Sequence, residues 1–457
     1  MLKHVFNPGS IAMVGASATP GKIGHVILQG IIKGFDGPIY PVNPHEKEIL
    51  GLQCHPNVSA IPKKVGLAVI AVPAKLVPQV MADCGKKGVK AAIIISGGFS
   101  EVGKSELEEK VRRIADKHGI SVIGPNCLGV FDSVTKVDTL FNPRYKMERP
   151  RPGGISFITQ SGAVGAVVMD WAGAEGFGVS KFISYGNALN IDEVDLLDYL
   201  GKDDATKVIC MYLEGTKRGK EFIKAAKRVS AKKPIVGIKA GKTEAGAKAV
   251  ASHTGSLAGS AKVWKAAFSQ AGVVEAEGIA EMFNYARVFA EQPLPKGDRV
   301  GIITNGGGFG VLATDACISN GLRVDPLSKA TAQAIRKRVP DYAVVKNPVD
   351  LVGDADFHRY EAALDAMMND KSIDSILCII LFQTADINSN VISVIAEASD
   401  KQKKPVICCA AGGAYSQLHS QLLEEAGVPT FSSLRAAADT LAAITYYDEF
   451  KESILRK

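Results

Sequence analysis

The sequence predicts an α/β protein made of three doubly wound domains. Short β-branched runs alternate with helical patterns from one end of the chain to the other, and the runs are almost continuously apolar. Strands of that kind, separated by helices, belong to parallel sheets covered on both faces. Glycine agrees: it supplies 46 of 457 residues, well above the usual ~7%, as expected where many tight turns join strands to helices.

Taken in order, strands are expected at Ile11–Val14, Ile39–Val42, Leu67–Val72, Ala91–Ile95, Ser121–Ile123, Ile155–Ile158, Val179–Ile183, Val208–Tyr212, Ile235–Ile238, Val300–Thr304, Ser375–Leu381 and Pro405–Cys409. Two segments interrupt the alternation. Asn142–Gly154 is rich in proline and charge, and Glu291–Asp298 reads EQPLPKGD. Both have linker composition. They divide the chain into 1–145, 146–292 and 296–457, each long enough for one domain.

Composition narrows the function. Lys+Arg 54 less Asp+Glu 47 leaves +7, a mild charge that suits anionic small ligands. No basic run with interleaved aromatics is present, so no nucleic-acid partner is expected. The longest apolar stretches, Val65–Ala74 and Ile376–Phe382, fall short of the ~18 residues of a membrane span. Met1–Ser10 has no apolar signal-peptide core. Eight cysteines lack CxxC or zinc spacing. These features predict a cytoplasmic protein with reduced thiols, no membrane association and no protein-bound metal site.

In the first domain, Ile11–Val14 leads into Gly15-Ala16-Ser17 and then Thr19-Pro20-Gly21-Lys22-Ile23-Gly24 ahead of an apolar helix. A glycine turn at a helix N-terminus favours a phosphate. The loop is longer than GxGxxG, and the second strand ends Tyr40-Pro41-Val42-Asn43-Pro44 without the acidic residue that holds a ribose. Three more strand ends carry turn residues: Val72-Pro73-Ala74, Ser96-Gly97-Gly98-Phe99 and Gly124-Pro125-Asn126-Cys127. In a doubly wound sheet these ends share one crevice, so together they read as a ligand rim.

The second domain concentrates the chemistry. Ile155–Ile158 ends in Thr159-Gln160-Ser161-Gly162, a Ser-Gly loop that opens a helix and can cradle an anion. Further strand ends deliver Asn187 and Glu214, and a run of small residues leads to Ala251-Ser252-His253-Thr254-Gly255-Ser256 before a helix expected near Leu257–Gly259. A histidine whose one ring nitrogen is held as N–H is a free nucleophile at the other. Glu214 is placed to accept that N–H from His253. A Ser-His-Asp hydrolase does not fit, because Ser161 lies in QSGAVG rather than GxSxG. In the third domain, Thr304-Asn305-Gly306-Gly307-Gly308-Phe309-Gly310 again joins a strand to a helix, and Asn347-Pro348-Val349-Asp350-Leu351 is a second strand-linked turn. The first could bind an anion, or both could be packed turns or interface.

GASATPGKIG, VPA, GPNCLG, TQSGAVG, LEG and SHTGSLAG occur in this order between residues 15 and 259. The pattern resembles the nucleoside-diphosphate-forming acyl-CoA synthetases, a superfamily that includes succinyl-CoA synthetase, and within it the α subunits of ADP-forming acetyl-CoA synthetases. The resemblance implies a Rossmann-like CoA-binding domain followed by two flavodoxin-like, succinyl-CoA synthetase-like domains. It implies that acyl-CoA and phosphate give an acyl phosphate and CoA, and that the phosphoryl group passes through a histidine to ADP, reversibly. On this resemblance His253 is expected to carry the phosphoryl group and Glu214 to support it. It maps the phosphate cradle to Ser161, Gly162 and Asn187. It maps the CoA site to Gly15, Ala16, Ser17, Lys22, Val72, Pro73, Ser96, Gly97 and Asn126. The succinyl enzyme's α subunit has no counterpart of 296–457, whereas ADP-forming acetyl-CoA synthetases carry it on the α chain. No ATP-grasp segment or GxxxxGK[ST] loop is found. ADP/ATP and Mg²⁺ are therefore expected mainly on a separate ATP-grasp β subunit, in an α2β2 assembly. Two alternatives stand beside this reading. A non-catalytic CoA-binding regulator would be expected to have lost His253 or Glu214. A nicotinamide-dependent oxidoreductase would need the missing acidic ribose partner.

Overall fold

A computed structural model describes residues 2–254 and 260–456. The chain forms two compact units, Met1–Ile279 and Ala280–Lys457.

The first unit holds two sheets. The strands of the first are β1 (Ile11–Val14), β2 (Ile39–Val42), β3 (Leu67–Ile70), β4 (Ala91–Ile94) and β5 (Ser121–Ile123). They are parallel, in the order β2-β1-β3-β4-β5. Ile11 stands opposite both Ile39 and Leu67. Helices α1 (Ile23–Gly34), α2 (Val77–Lys87) and α3 (Ser105–His118) link them. The interior strands are buried throughout, which explains their unbroken apolar sequence. The order reverses between β1 and β3, the place where such sheets bind ligands.

The second sheet contains β6 (Gly129–Asp132), β7 (Pro152–Thr159), β8 (Val179–Ser184), β9 (Val208–Leu213), β10 (Ile235–Lys239) and β11 (Val273–Glu275), in the order β11-β10-β9-β7-β8-β6. Its helices are α4 (Gly162–Ala174), α5 (Glu193–Leu200), α6 (Gly219–Ser230), α7 (Glu244–Thr254) and α8 (Ala261–Ala271). Strand β6 is antiparallel to β8, with Gly129 opposite Ser184 and Asp132 opposite Lys181. The buried Lys181 ammonium pairs with Asp203 at 3.0 Å and Asp132 at 3.5 Å, which fixes that edge. The chain thus enters the second sheet before residue 145, and the two sheets lie in one unit. The segment 142–151 is not a loose linker. Arg149 is buried against Asp138 at 2.9 Å, and β7 starts at Pro152.

The second unit opens with most of helix α9 (Ile279–Glu291). Gln292 bonds Ser399 Oγ at 2.9 Å, the Gly427 carbonyl at 3.0 Å and the Val406 amide at 3.0 Å. These buried bonds tie Gln292 to the third sheet, and the second unit begins at Ala280, before the expected division at 292. That sheet comprises β12 (Val300–Thr304), β13 (Val344–Val345), β14 (Val349–Asp350), β15 (Ser375–Ile379), β16 (Val406–Cys409) and β17 (Thr430–Phe431). The order is β13-β14-β12-β15-β16-β17, parallel except for the β13–β14 pair. Helix α10 (Gly307–Ser319) follows β12. Among the described residues, no helix is long and apolar enough to cross a membrane.

Candidate functional site

The first-sheet rim is knit by its own turns. Gly15 has φ +88°, and a Cβ there would lie 2.3 Å from the Ala71 carbonyl oxygen. Only glycine allows the turns after β1 and β3 to touch. Asn43, which stands where a ribose-binding acid would, instead donates to the Ala16 carbonyl at 2.8 Å. Ser96 Oγ donates to the Val72 carbonyl at 2.5 Å, and the Asn126 amide donates to the Ser96 carbonyl at 2.9 Å. Asn126 holds φ +58°, a left-handed conformation uncommon outside glycine.

In the second sheet, Thr159 Oγ1 accepts from the Ser161 amide at 3.0 Å and donates to the Ser161 carbonyl at 2.9 Å, setting the sharp turn into α4. Ser161 Oγ caps the helix through the Val164 amide at 3.3 Å. The first-turn amides at Gly162 and Ala163 have no acceptor within the helix, and both residues line the cavity described below. Gln160 grips the neighbouring strand end. Its Oε1 accepts the Glu214 and Gly215 amides, the latter at 3.0 Å, and its Nε2 donates to the Gly215 carbonyl at 3.0 Å. Behind it, Lys239 donates to the Glu214 carbonyl at 2.9 Å. Burial lowers the Lys239 pKa against the pull of Glu214. Glu214 itself is only 5% exposed.

Both rims open into one cavity of about 1680 Å³ inside the first unit. Val72, Pro73, Ser96, Gly97, Asn126, Ser161, Gly162, Asn187 and Glu214 all line it. Gly15, Ala16, Ser17 and Lys22 do not, and from their segment Ile23 reaches it instead. The two rims meet at Asn187. Its backbone amide bonds the Pro125 carbonyl at 3.0 Å, and its side chain bonds Glu101 at 2.7 Å and Glu108 at 2.8 Å. On the far wall, Tyr185 donates to Glu193 Oε2 at 3.3 Å. Glu193 is 2% exposed, and burial holds its carboxyl above the usual range despite hydrogen bonds to Thr216 and Tyr185. Arg218 bridges Asp192 and Asp195 at 3.2 Å each. Among the described residues, no group of three or more His, Cys, Asp or Glu is arranged to hold a metal.

His253 departs from expectation in one respect. The sequence reads as a loop of small residues there, but α7 continues through Thr254. Alanine-rich sequence favours helix, Thr243 Oγ1 accepts the Gly246 amide at 3.0 Å, and Glu244 pairs with Lys248 at 3.0 Å. The His253 side chain lies outside the described part of the structure, as does the rest of its motif, Gly255–Gly259.

Comparison with known proteins follows the same order along the chain. Residues 9–132 match the CoA binding domain family, 152–289 the succinyl-CoA ligase like flavodoxin domain, and 300–446 the ligase-CoA domain. The α subunit of acetate–CoA ligase (ADP-forming) I from Pyrococcus furiosus is 42% identical over 98% of both chains. The chain belongs to the ADP-forming acetate–CoA ligase family. Another member, acetate–CoA ligase (ADP-forming) I of Archaeoglobus fulgidus, is 38% identical over 98% of this chain, which spans only 64% of that longer relative. A solved dinucleotide-forming acetyl-coenzyme A synthetase 1 from Ca. Korarchaeum cryptofilum, in complex with phosphate and ADP, superposes with a TM-score of 0.95. It is 38% identical and covers 100% of this chain and 98% of its own.

Sequence reasoning assigned no role to four residues that shape this ligase-family cavity: Gln160, Lys239, Glu193 and Glu101. Gln160 lies inside a motif already singled out, yet its partners are 54 and 55 positions away. The others gave no signal of their own. Lysine at a strand end and glutamate at a helix start are commonplace, and only the fold brings the glutamates to the cavity and the lysine to the Glu214 carbonyl.

Proposed function

We propose that this chain carries the thioester and histidine-relay half of an ADP-forming acyl-CoA synthetase. The reaction is acyl-CoA + phosphate + ADP giving carboxylate + CoA + ATP, and it is reversible. The observation that carries this is end-to-end similarity to a ligase α subunit, 42% identical over 98% of both chains, joined to a single cavity lined by residues of both predicted rims. We assign 1–145 to CoA binding, 146–292 to phosphoryl relay and 296–457 to a third, interface domain. The three family matches support that division.

The mechanism we propose is laid onto this cavity. The CoA thioester lies along Val72, Pro73, Ser96, Gly97 and Asn126, with Gly15, Ala16, Ser17 and Lys22 on the outer reach of the same rim. Phosphate sits at the start of α4, where the Ser161 loop, the Gly162 amide and the helix dipole offset its charge. Phosphate attacks the thioester carbonyl, the C–S bond breaks, and the thiolate takes the proton that phosphate gives up. The acyl phosphate then passes its phosphoryl group to His253: the imidazole nitrogen bonds phosphorus, the P–O bond to the acyl oxygen breaks, and the carboxylate leaves. Glu214 holds the ring N–H and balances the imidazolium charge, and Gln160 and Lys239 fix its backbone. We place Asn187 at the lip of the phosphate site. Its amide hydrogens serve Glu101 and Glu108, so its part there is to shape the wall.

Phosphohistidine then phosphorylates ADP. The longer Archaeoglobus relative extends well beyond the matched region, and we infer that a separate ATP-grasp subunit supplies the corresponding part here, with ADP and Mg²⁺, as α2β2. Eight buried free thiols suit a cytoplasmic setting.

The test is peptide mapping after incubation with acetyl-CoA, phosphate and Mg²⁺, with and without the partner. Acid-labile phosphate on His253 and released thiol are expected. A His253→Ala chain that keeps full ATP formation in the complex would overturn the relay.

A further inference from the structure

Where the CoA rim meets the phosphate cradle, three side chains converge from separate elements. Asn187 follows β8, Glu101 follows β4, and Glu108 lies on α3. The Asn187 amide nitrogen donates to Glu101 Oε2 at 2.7 Å, Glu108 Oε2 at 2.8 Å and Ser100 Oγ at 3.2 Å. Its oxygen accepts from Asn126 Nδ2 at 3.3 Å. An amide nitrogen has two hydrogens, so these acceptors saturate it. Glu101 also receives the Gly98 and Phe99 backbone amides. Burial raises the Glu101 pKa, but the bonds from Asn187, Gly98 and Phe99 prevail and hold it below the ordinary value.

Two carboxylates therefore border a cavity meant for anionic substrates. Their charge repels phosphate and favours its seat away from them, at the Ser161–Gly162 turn. The pantetheine arm of a CoA thioester is uncharged and rich in amides, so it can run along such a wall. The backbone already ties the β8 loop to the β5 loop, through Asn187 N to Pro125 O at 3.0 Å and Leu189 N to Gly124 O at 3.0 Å. What the carboxamide adds is a hold on the loop Gly97–Glu101. There, a Cβ on Gly97 would come within 3.1 Å of Asn126 Oδ1 and 3.2 Å of Glu101 Oε1.

The geometry points to Glu101 as a positioning residue. With Asn187 it clamps the loop after β4 to the loop after β8, so that the pantetheine arm crosses between the rims with its thioester carbonyl against Ser161 and Gly162. This rests on the proposed function and adds the residue that aligns its first step. Misalignment of about 1 Å is enough to slow a reaction ~100-fold.

The test uses the full chain with its partner subunit and three variants: Glu101→Gln, Asn187→Ala and the double. Gln at 101 still accepts the loop amides but turns an N–H toward Asn187. Thiol release from acetyl-CoA with inorganic phosphate reads the aligned step. Phosphohistidine formation from radiolabelled ATP bypasses the thioester, and calorimetry reads CoA affinity. Each single change is expected to lower kcat for thiol release by ~10–100-fold. The double should be no worse than the weaker single, while Glu101→Gln leaves CoA affinity and ATP labelling within ~3-fold. Additive losses, unchanged thiol release, or an equal fall in ATP labelling for Glu101→Gln would overturn the clamp. A wild-type complex that neither releases thiol nor takes label would instead sink the functional reading, and the clamp with it.

Discussion

After β7 the chain runs Thr159-Gln160-Ser161-Gly162 into α4; after β12 it runs Thr304-Asn305-Gly306-Gly307 into α10. The two turns share one construction. Thr304 Oγ1 accepts the Gly306 amide at 3.0 Å and donates to its carbonyl at 3.1 Å, as Thr159 does with Ser161. Asn305 grips the next strand end through the Leu381 amide at 2.8 Å and carbonyl at 3.2 Å, as Gln160 grips Glu214 and Gly215. The contents differ. Asn305 holds an aliphatic residue where Gln160 holds a carboxylate. A Cβ on Gly307 would lie 2.5 Å from Asp350 Oδ2, whereas a Cβ on Gly162 meets nothing nearer than 3.8 Å. One helix start is open to the cavity, and the other already faces a carboxylate that its dipole favours. Such a turn makes an anion site available, and side chains from adjacent strands decide whether a ligand or the protein fills it.

The largest expected contrast is at the gripped residue. Glu214→Gln should cut ATP formation by ~100-fold or more, the scale of losing a preorganised charge partner. Leu381→Ala should change it by less than about threefold and act on stability instead. Equal losses in coupled assays would erase the distinction. Next, Ser161→Ala removes both a cap and a cradle group. Its KM for phosphate should rise severalfold, and urea unfolding should show a loss of ~1 kcal/mol. Asp350→Asn tests the filled site. A stability loss of ~0.5–1 kcal/mol is expected, and equilibrium dialysis should reveal an added weak phosphate site. Unchanged phosphate stoichiometry would mean that Asp350 does not block one.

The smallest effects separate two buried carboxyls by pH. Glu193 is raised by burial, so ionising it costs stability as pH climbs above the unfolded value near ~4.3. Glu193→Gln should raise Tm at pH 7.5 and lose that gain by about pH 4. Burial also raises Asp370, but Ser372 and Thr331 hydrogen bonds prevail and hold it well below the usual range. Its contribution is present above the unfolded value near ~3.9 and is lost as pH falls toward the lower folded value. Asp370→Asn should lower Tm at pH 7.5, with the difference narrowing in acid. Thermal melts across that range that move in the same direction for both variants would contradict the assignment.

Long, continuously apolar strands were legible in the sequence, because burial on both faces leaves no other reading of such runs. Each sheet's own crevice was legible too, since its parallel strands end on one side: Val72 and Asn126 at the first, Ser161 and Glu214 at the second. That both open into one cavity is seen only in the fold. Short edge strands were not. Thr430–Phe431 and Val344–Val345 have two residues each, and β6 is defined by an antiparallel partner some 50 positions later. The stretch before His253 was read from its small residues, and the helix propensity of alanine outweighed the glycine among them. The Glu101–Asn187 bond joins residues 86 positions apart, a pairing that no local pattern encodes.

Strand β6 sits in the second sheet although the rest of its stretch of chain builds the first. A gene cut near residue 145 would send an edge strand away with the wrong fragment. The first piece would display unsatisfied backbone groups, an invitation to aggregate, and the second would lack a border. Viable recombination or fission should fall near residue 279, where the compact units divide. Residues 1–279 would then be inherited, and would melt, as one piece.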